Sequence, residues 1–108
     1  MKMNVWLTYD LGIKGDYPGL YKWLDTFKAK ECGNNLAFLK FEYKTDIAKE
    51  LLEHMSLNIN FKNGDRIYII TNFDDNATSK VLGKFIYGNR KANPWEGYAQ
   101  TEDTAIDG

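Results

Sequence analysis

Residues 4–11 read Asn-Val-Trp-Leu-Thr-Tyr-Asp-Leu, and this stretch decides the fold. Its side chains form two alternating sets, which are Val5, Leu7 and Tyr9 on one side and Trp6, Thr8 and Asp10 on the other. Successive side chains of a β-strand point to opposite faces of the sheet. The stretch therefore predicts a strand whose odd-numbered side chains are buried and whose even-numbered side chains face a second surface.

Helical and extended patterns follow this strand in turn. The predicted elements are a helix over 17–28, a short strand over 29–32, a strand over 36–43, a helix over 46–57, a strand over 66–72 and an extra C-terminal edge strand over 81–88. Asp16 is expected to cap the first helix, and Thr45 or Asp46 the second. Gly83 is expected to mark a β-bulge.

The order of elements predicts an α+β domain of the ferredoxin-like β-α-β-β-α-β type. Two crossovers give an antiparallel sheet with both helices on one face. We assign residues 1–88 to this domain and residues 89–108 to a partly disordered C-terminal tail anchored by Trp95 and Tyr98. The face without helices carries Trp6, Phe38 and Tyr68, and an apolar surface of this kind favours a partner.

The composition excludes several classes of function. The chain has 108 residues, a formal net charge of −1 and no overall basic excess of the kind that a dedicated nucleic-acid-binding protein usually shows. Its one cysteine, Cys32, permits neither an intrachain disulfide nor a zinc cluster and is expected to be buried. The sequence contains no P-loop, dinucleotide fingerprint or HExxH motif. No signal peptide or membrane span is evident, which indicates a cytoplasmic protein.

A family resemblance rests on three short stretches of sequence. They are Thr8-Tyr9-Asp10-Leu11 at the end of the first strand, Asp16-Tyr17-Pro18-Gly19-Leu20-Tyr21 at the start of the first helix, and Asp65-Arg66-Ile67-Tyr68-Ile69-Ile70 in the fourth strand. In these stretches the chain resembles the small CRISPR-associated subunit of the spacer-acquisition complex and its superfamily, which includes the virulence-associated protein D toxins. It is most similar to small bacterial proteins labelled SinR-family.

The resemblance implies a homodimer packed through the sheets, with Trp6, Phe38 and Tyr68 at the dimer interface. In the nuclease members, the strand-one aspartates of two subunits hold a divalent metal, which here makes Asp10 the catalytic residue and the ligand of Mg²⁺ or Mn²⁺. The chain departs from the CRISPR subunits after this aspartate, where residues 11–15 lack arginine, and residues 40–42 repeat only part of their strand-three motif.

Two interpretations of these residues stay open. The first is a metal-dependent endonuclease acting on RNA or DNA, with Thr8 and Lys14 as substrate-binding residues. The second is a non-catalytic dimeric module of the same fold that binds protein or nucleic acid. Apart from metal binding, the alternative role for Asp10 is to cap the loop that follows it by accepting the N–H groups of residues 11–13. The only histidine, His54, is interpreted as structural.

Overall fold

The computed structural model describes residues 1–73 and 80–99. Within them, the elements in chain order are β1 (Lys2–Asp10), α1 (Tyr17–Thr26), β2 (Lys30–Glu31), β3 (Leu36–Glu42), α2 (Ile47–Ser56), β4 (Arg66–Phe73) and β5 (Val81–Tyr87). Each predicted helix and strand is therefore present, with ends that differ by a few residues. The extra C-terminal strand is confirmed as β5.

The five strands form one antiparallel sheet in the order β2-β3-β1-β4-β5. β1 lies at the centre, between β3 and β4, and β5 continues the sheet beyond β4. The α+β class is thus confirmed, and the order of elements is consistent with the predicted ferredoxin-like class. The sheet has one strand more than the four of that core.

The hydrophobic core lies between one face of the sheet and the two helices. It contains Val5 and Leu7 of β1, both fully buried, and the fully buried Leu20 and Leu51 of the helices. Trp23 of α1 also donates from Nε1 to Nδ1 of His54 on α2, over 2.9 Å. This bond ties the two helices together and supports the structural interpretation of His54.

Side-chain caps begin both helices as the sequence predicts. Asp16 Oδ1 accepts the Gly19 N–H at 3.0 Å, and its Oδ2 accepts the N–H of Asn60 at 2.9 Å. These two backbone hydrogen bonds lower the pKa of Asp16. Asp46 caps α2 by accepting the Lys49 N–H at 3.2 Å.

The irregularity of β5 does not lie at Gly83, where it was predicted. The pairing with β4 shifts between Ile67 and Tyr68, which face Tyr87 and Phe85, so the extra residue of β5 is Ile86. Gly83 instead allows the close approach of a side chain from β4. A Cβ atom there would lie 2.6 Å from Tyr68 Oη, so the phenol ring needs a residue without a side chain beneath it.

Two further sequence-based expectations are wrong, and a third is not tested. Cys32 is exposed rather than buried. Trp95 and Tyr98 do not anchor the C-terminal segment, because they stay 70% and 72% exposed. The predicted disorder of the tail concerns in part residues 100–108, which lie outside the described residues.

The central position of β1 predicts a strong difference between two leucines. Leu7 is fully buried on β1, whereas Leu82 on the edge strand is 54% exposed. Leu7→Ala is expected to lower the free energy of unfolding by about 2–5 kcal/mol because it leaves a cavity in the core. The control Leu82→Ala is expected to change it by roughly 0.5 kcal/mol or less. Equal losses in urea unfolding would contradict this account of the core.

Glu50 gives the fold a dependence on acid pH. Its carboxylate accepts the backbone N–H groups of Lys44, Thr45 and Asp46, each at 2.8 Å. These bonds lower its pKa from 4.5 to about 2. The group therefore stabilises the folded state fully above its unfolded pKa of 4.5, and this contribution is lost as the pH falls through about 2.

We expect Glu50→Gln to lower the melting temperature near neutral pH, with a difference from the wild type that shrinks as the pH falls from 4.5 to about 2. Thermal melts followed by circular dichroism measure this difference. Glu53→Gln, which removes one charge from the same helix, is the matched control. A difference for Glu50→Gln that stays constant over this pH range would contradict the assignment.

Candidate functional site

The candidate site lies on the face of the sheet that the helices leave uncovered, here called the open face. Strand alternation and the pairing register place on it Lys2, Asn4, Trp6, Thr8, Asp10, Lys30, Leu36, Phe38, Lys40, Glu42, Arg66, Tyr68, Ile70, Asn72 and Phe85. The three predicted interface residues, Trp6, Phe38 and Tyr68, are all on this face and only half-buried. The sequence pattern thus identified this surface correctly, although its role as a dimer interface stays a prediction.

Aromatic rings are paired across neighbouring strands of the open face. The ring centroids of Trp6 and Phe38 are 5.0 Å apart, and those of Tyr68 and Phe85 are 4.8 Å apart in an edge-to-face arrangement. Both pairs join residues that lie directly opposite each other in the register. Cross-strand aromatic pairs stabilise a sheet, and they also leave ring surface accessible to a ligand.

Asp10 forms an ion pair with Arg66 at the end of the β1–β4 pairing. Its Oδ2 accepts hydrogen bonds from Arg66 Nη2 at 2.7 Å and from Arg66 Nε at 3.2 Å. Asp10 is the more accessible partner, with 54% of its side chain exposed against 25% for Arg66. The expectation that Asp10 caps the following loop is wrong for Gly12, whose N–H donates to Asp65 Oδ1 at 2.9 Å instead.

Two guanidinium groups lie over the ring of Phe85. The Cζ atom of Arg66 is 5.8 Å from the ring centroid, and that of Arg90 is 5.5 Å from it. Both distances fall within the range of a cation–π interaction. The Asp10 carboxylate therefore holds a guanidinium group that also contacts an aromatic ring of the open face.

A pocket of about 250 Å³ forms around these groups and is lined by Thr8, Asp10, Arg66, Tyr68, Phe85 and Arg90. Thr8 borders this pocket, and its Oγ1 donates to the carbonyl oxygen of Tyr68 at 3.4 Å. Lys14 does not line this pocket. It is exposed in the loop after β1, where its carbonyl oxygen accepts a hydrogen bond from Lys62 Nζ. The substrate-binding roles of Thr8 and Lys14 stay predictions.

Sequence reasoning missed three residues of this pocket, which are Arg66, Phe85 and Arg90. Arg66 was placed at the start of the fourth strand and Phe85 in the edge strand, without a partner for either. The sequence feature that could have placed Phe85 beside Tyr68 was the alternation of β5. When β5 pairs with β4, one alternating set of β5 side chains lies on the same face as Tyr68. Arg90 lies three residues after the end of β5, in the segment 89–108 that was assigned to the C-terminal tail.

The charges of the open face differ from those of the whole chain. Among the described residues, five cationic ones belong to it or reach it, namely Lys2, Lys30, Lys40, Arg66 and Arg90, against the two carboxylates Asp10 and Glu42. The balance is therefore +3 for this surface, whereas the chain carries −1. A basic surface on a near-neutral chain favours an anionic ligand.

The residues around Asp10 in one chain do not fit a divalent metal. Mg²⁺ prefers several oxygen ligands in octahedral geometry, and Asp10 supplies one carboxylate that already contacts Arg66. Across residues 1–73 and 80–99, no three or more His, Cys, Asp or Glu side chains are grouped so that they could hold a metal ion. A site for Mg²⁺ or Mn²⁺ at Asp10 thus requires ligands that the residues around Asp10 in one chain do not supply.

Neither α1 nor α2, the helices of the described residues, has the length and apolar character of a membrane span.

Comparisons with protein-family models, with curated proteins and with solved structures give no significant match for this chain. The resemblance to the CRISPR small subunit and virulence-associated protein D superfamily therefore stays a prediction. The geometry of the open face is the basis for the function proposed next.

Proposed function

We propose that this chain is a binding module with a ferredoxin-like core and that its open face binds single-stranded nucleic acid. One observation carries the proposal: paired aromatic rings lie on neighbouring strands of an uncovered sheet, and two arginines contact one of these rings. Proteins that bind single strands combine rings on which bases stack with cations that follow the phosphates. Trp6 and Phe38 supply one stacking position, and Tyr68 and Phe85 supply the next.

The spacing of the rings supports this use of the face. β1 separates β3 from β4, and neighbouring strands of a sheet lie about 4.8 Å apart. The four rings therefore extend from β3 across β1 and β4 to β5, along the direction in which the strands are stacked. A single-stranded nucleic acid that crosses the sheet in this direction meets first one aromatic pair and then the other. Lys40 and Arg66 lie on the same face.

The predicted homodimer uses the same surface, because Trp6, Phe38 and Tyr68 were assigned to its interface. A second copy packed sheet to sheet would cover the rings and compete with nucleic acid. Sedimentation velocity with and without a short oligonucleotide distinguishes the two ligands of this face. Dissociation of a dimer on adding the oligonucleotide indicates one shared surface, whereas a dimer that keeps its mass while binding indicates two.

We expect Trp6→Leu to weaken binding of a short labelled single-stranded oligonucleotide, measured by fluorescence anisotropy. Loss of one stacking ring costs about 1–3 kcal/mol, which is roughly a 5- to 150-fold increase in Kd. Leucine keeps much of the apolar packing, so the fold is expected to persist in a circular dichroism melt. The matched control is Trp95→Leu, which removes an exposed tryptophan outside the sheet. Equal Kd values for the wild type and Trp6→Leu would rule out the open face as the binding surface.

A metal-dependent endonuclease is the second candidate function. One observation favours it: both hydrogen bonds from Arg66 go to Oδ2 of Asp10, so Oδ1 is not used by Arg66, and the side chain is 54% exposed. If two copies of the chain meet at the open face, as the family resemblance implies, their Asp10 carboxylates supply ligands that one chain lacks. This candidate therefore depends on the homodimer, whereas nucleic-acid binding does not.

We expect an endonuclease of this kind to cleave RNA or DNA only when Mg²⁺ or Mn²⁺ is present and to lose cleavage in Asp10→Ala. The Asp10–Arg66 pair is a surface ion pair, so its removal costs about 1 kcal/mol or less and leaves the chain folded. Asp25→Ala, which removes an exposed carboxylate of α1, is the control. Cleavage that survives Asp10→Ala, or that proceeds in excess chelator, contradicts this candidate.

A further inference from the structure

A second pocket lies beside the first, at the same end of the sheet. It has a volume of about 360 Å³ and opens between the loop 63–65 and the turn 88–91. Three cationic side chains line it, those of Arg66, Arg90 and Lys91. Arg90 and Lys91 are both exposed and therefore accessible to a ligand.

The carboxylate of Asp65 also lines this pocket, but it is already hydrogen-bonded elsewhere and does not neutralise these cations. Asp65 is only 1% exposed, and both of its oxygens accept backbone hydrogen bonds. Oδ1 accepts the Gly12 N–H at 2.9 Å, and Oδ2 accepts the Lys62 N–H at 2.8 Å. Asp65 therefore fixes the pocket wall, and the charge that lines the pocket comes from the exposed Arg90 and Lys91 and from Arg66, which is also paired with Asp10.

The turn that closes the pocket has a fixed shape. Gly88 has a φ of +78°, a conformation that side chains rarely adopt, and a Cβ atom at this position would collide with the carbonyl oxygen of Asp65. The turn is thus held directly against the loop that contains Asp65. Arg90 and Lys91, which also line the pocket, follow Gly88 in the same turn.

The two pockets share Arg66 and Arg90. Their guanidinium groups lie over the ring of Phe85 in the first pocket, where Arg66 is also paired with Asp10, and both residues line the second pocket as well. An anion in the second pocket would therefore lie next to a planar group stacked in the first. A phosphate joined to a nucleoside has this combination of a charged and a planar part.

The geometry points to a phosphate-binding site in the second pocket, held by Arg66, Arg90 and Lys91, for the phosphate of a nucleotide whose base stacks at Phe85. This inference rests on the proposed function, in which the nucleotide belongs to a bound nucleic acid. The phosphate site itself can be tested with a mononucleotide. Arginine suits this role because its planar group donates two parallel hydrogen bonds to phosphate oxygens. Lys91 adds a third positive charge that belongs to the second pocket alone.

The test is a titration of the full chain with adenosine 5′-monophosphate and with adenosine, followed by the amide NMR signals. We expect the monophosphate to shift the signals of Gly64, Gly88 and Asn89 and to bind at least about tenfold more tightly than adenosine, since charge-assisted hydrogen bonds supply the difference. Lys91→Ala is expected to remove most of this preference. Lys49→Ala, which removes an exposed lysine of α2, is expected to leave it unchanged.

Oligonucleotides with and without a terminal phosphate identify the source of the phosphate. A preference for the phosphorylated end that disappears in Lys91→Ala indicates a terminal phosphate. An equal loss of affinity for both oligonucleotides in Lys91→Ala, with a shallower salt dependence, indicates a phosphate within the strand.

The site and the proposed function fail in different ways. If adenosine and its monophosphate bind equally, or if Lys91→Ala has no effect on the preference, the phosphate site is wrong even when oligonucleotides bind. If the monophosphate binds as expected while no oligonucleotide does, the open face is not a binding surface for single strands and the phosphate site stands.

Discussion

The strict alternation of β1 is the constraint on which the rest of the structure depends. β1 is paired on both sides, so its odd-numbered side chains have to enter the core and its even-numbered ones have to face outward. A shift of one residue in the pairing would exchange the two faces, placing Asp10 in the core and Leu7 on the surface. Because the core would lose its central side chains, the register of β3 and β4 against β1 is fixed. The aromatic pairs of the open face follow from that register.

The residues that were predicted well are those whose positions depend on local patterns. The burial of Val5 and Leu7, the cap by Asp16 and the placement of Trp6 on the second face all follow from periodicity and from nearest neighbours in the chain. The candidate site was predicted only in part, since Trp6, Thr8, Asp10, Phe38 and Tyr68 lie on the open face whereas Lys14 does not line the pocket. Their chemistry depends on partners that are distant in the sequence.

Asp10 and Arg66 illustrate why the sequence alone could not give the electrostatics of the site. They are 56 positions apart, and only the β1–β4 register places them opposite each other. A carboxylate at the end of a strand is compatible with a loop cap, a metal ligand or an ion pair. Distinguishing among these needs the position of every neighbouring charge. Asp65 is a similar case, since nothing in the local sequence indicates that it would hold the Gly12 amide of a loop 53 positions away.

The unequal lengths of the two edge strands have a consequence for how this protein behaves at high concentration. An edge strand presents unpaired backbone groups to which a strand of another molecule can add. β2, with two residues, offers almost no template for such growth, whereas β5 has seven residues and exposes Val81 and Leu82. Aggregation through sheet edges is therefore directed to one side of the molecule. Exposed Lys84 in the middle of β5 opposes it, because a second strand added there would have to accommodate its charge.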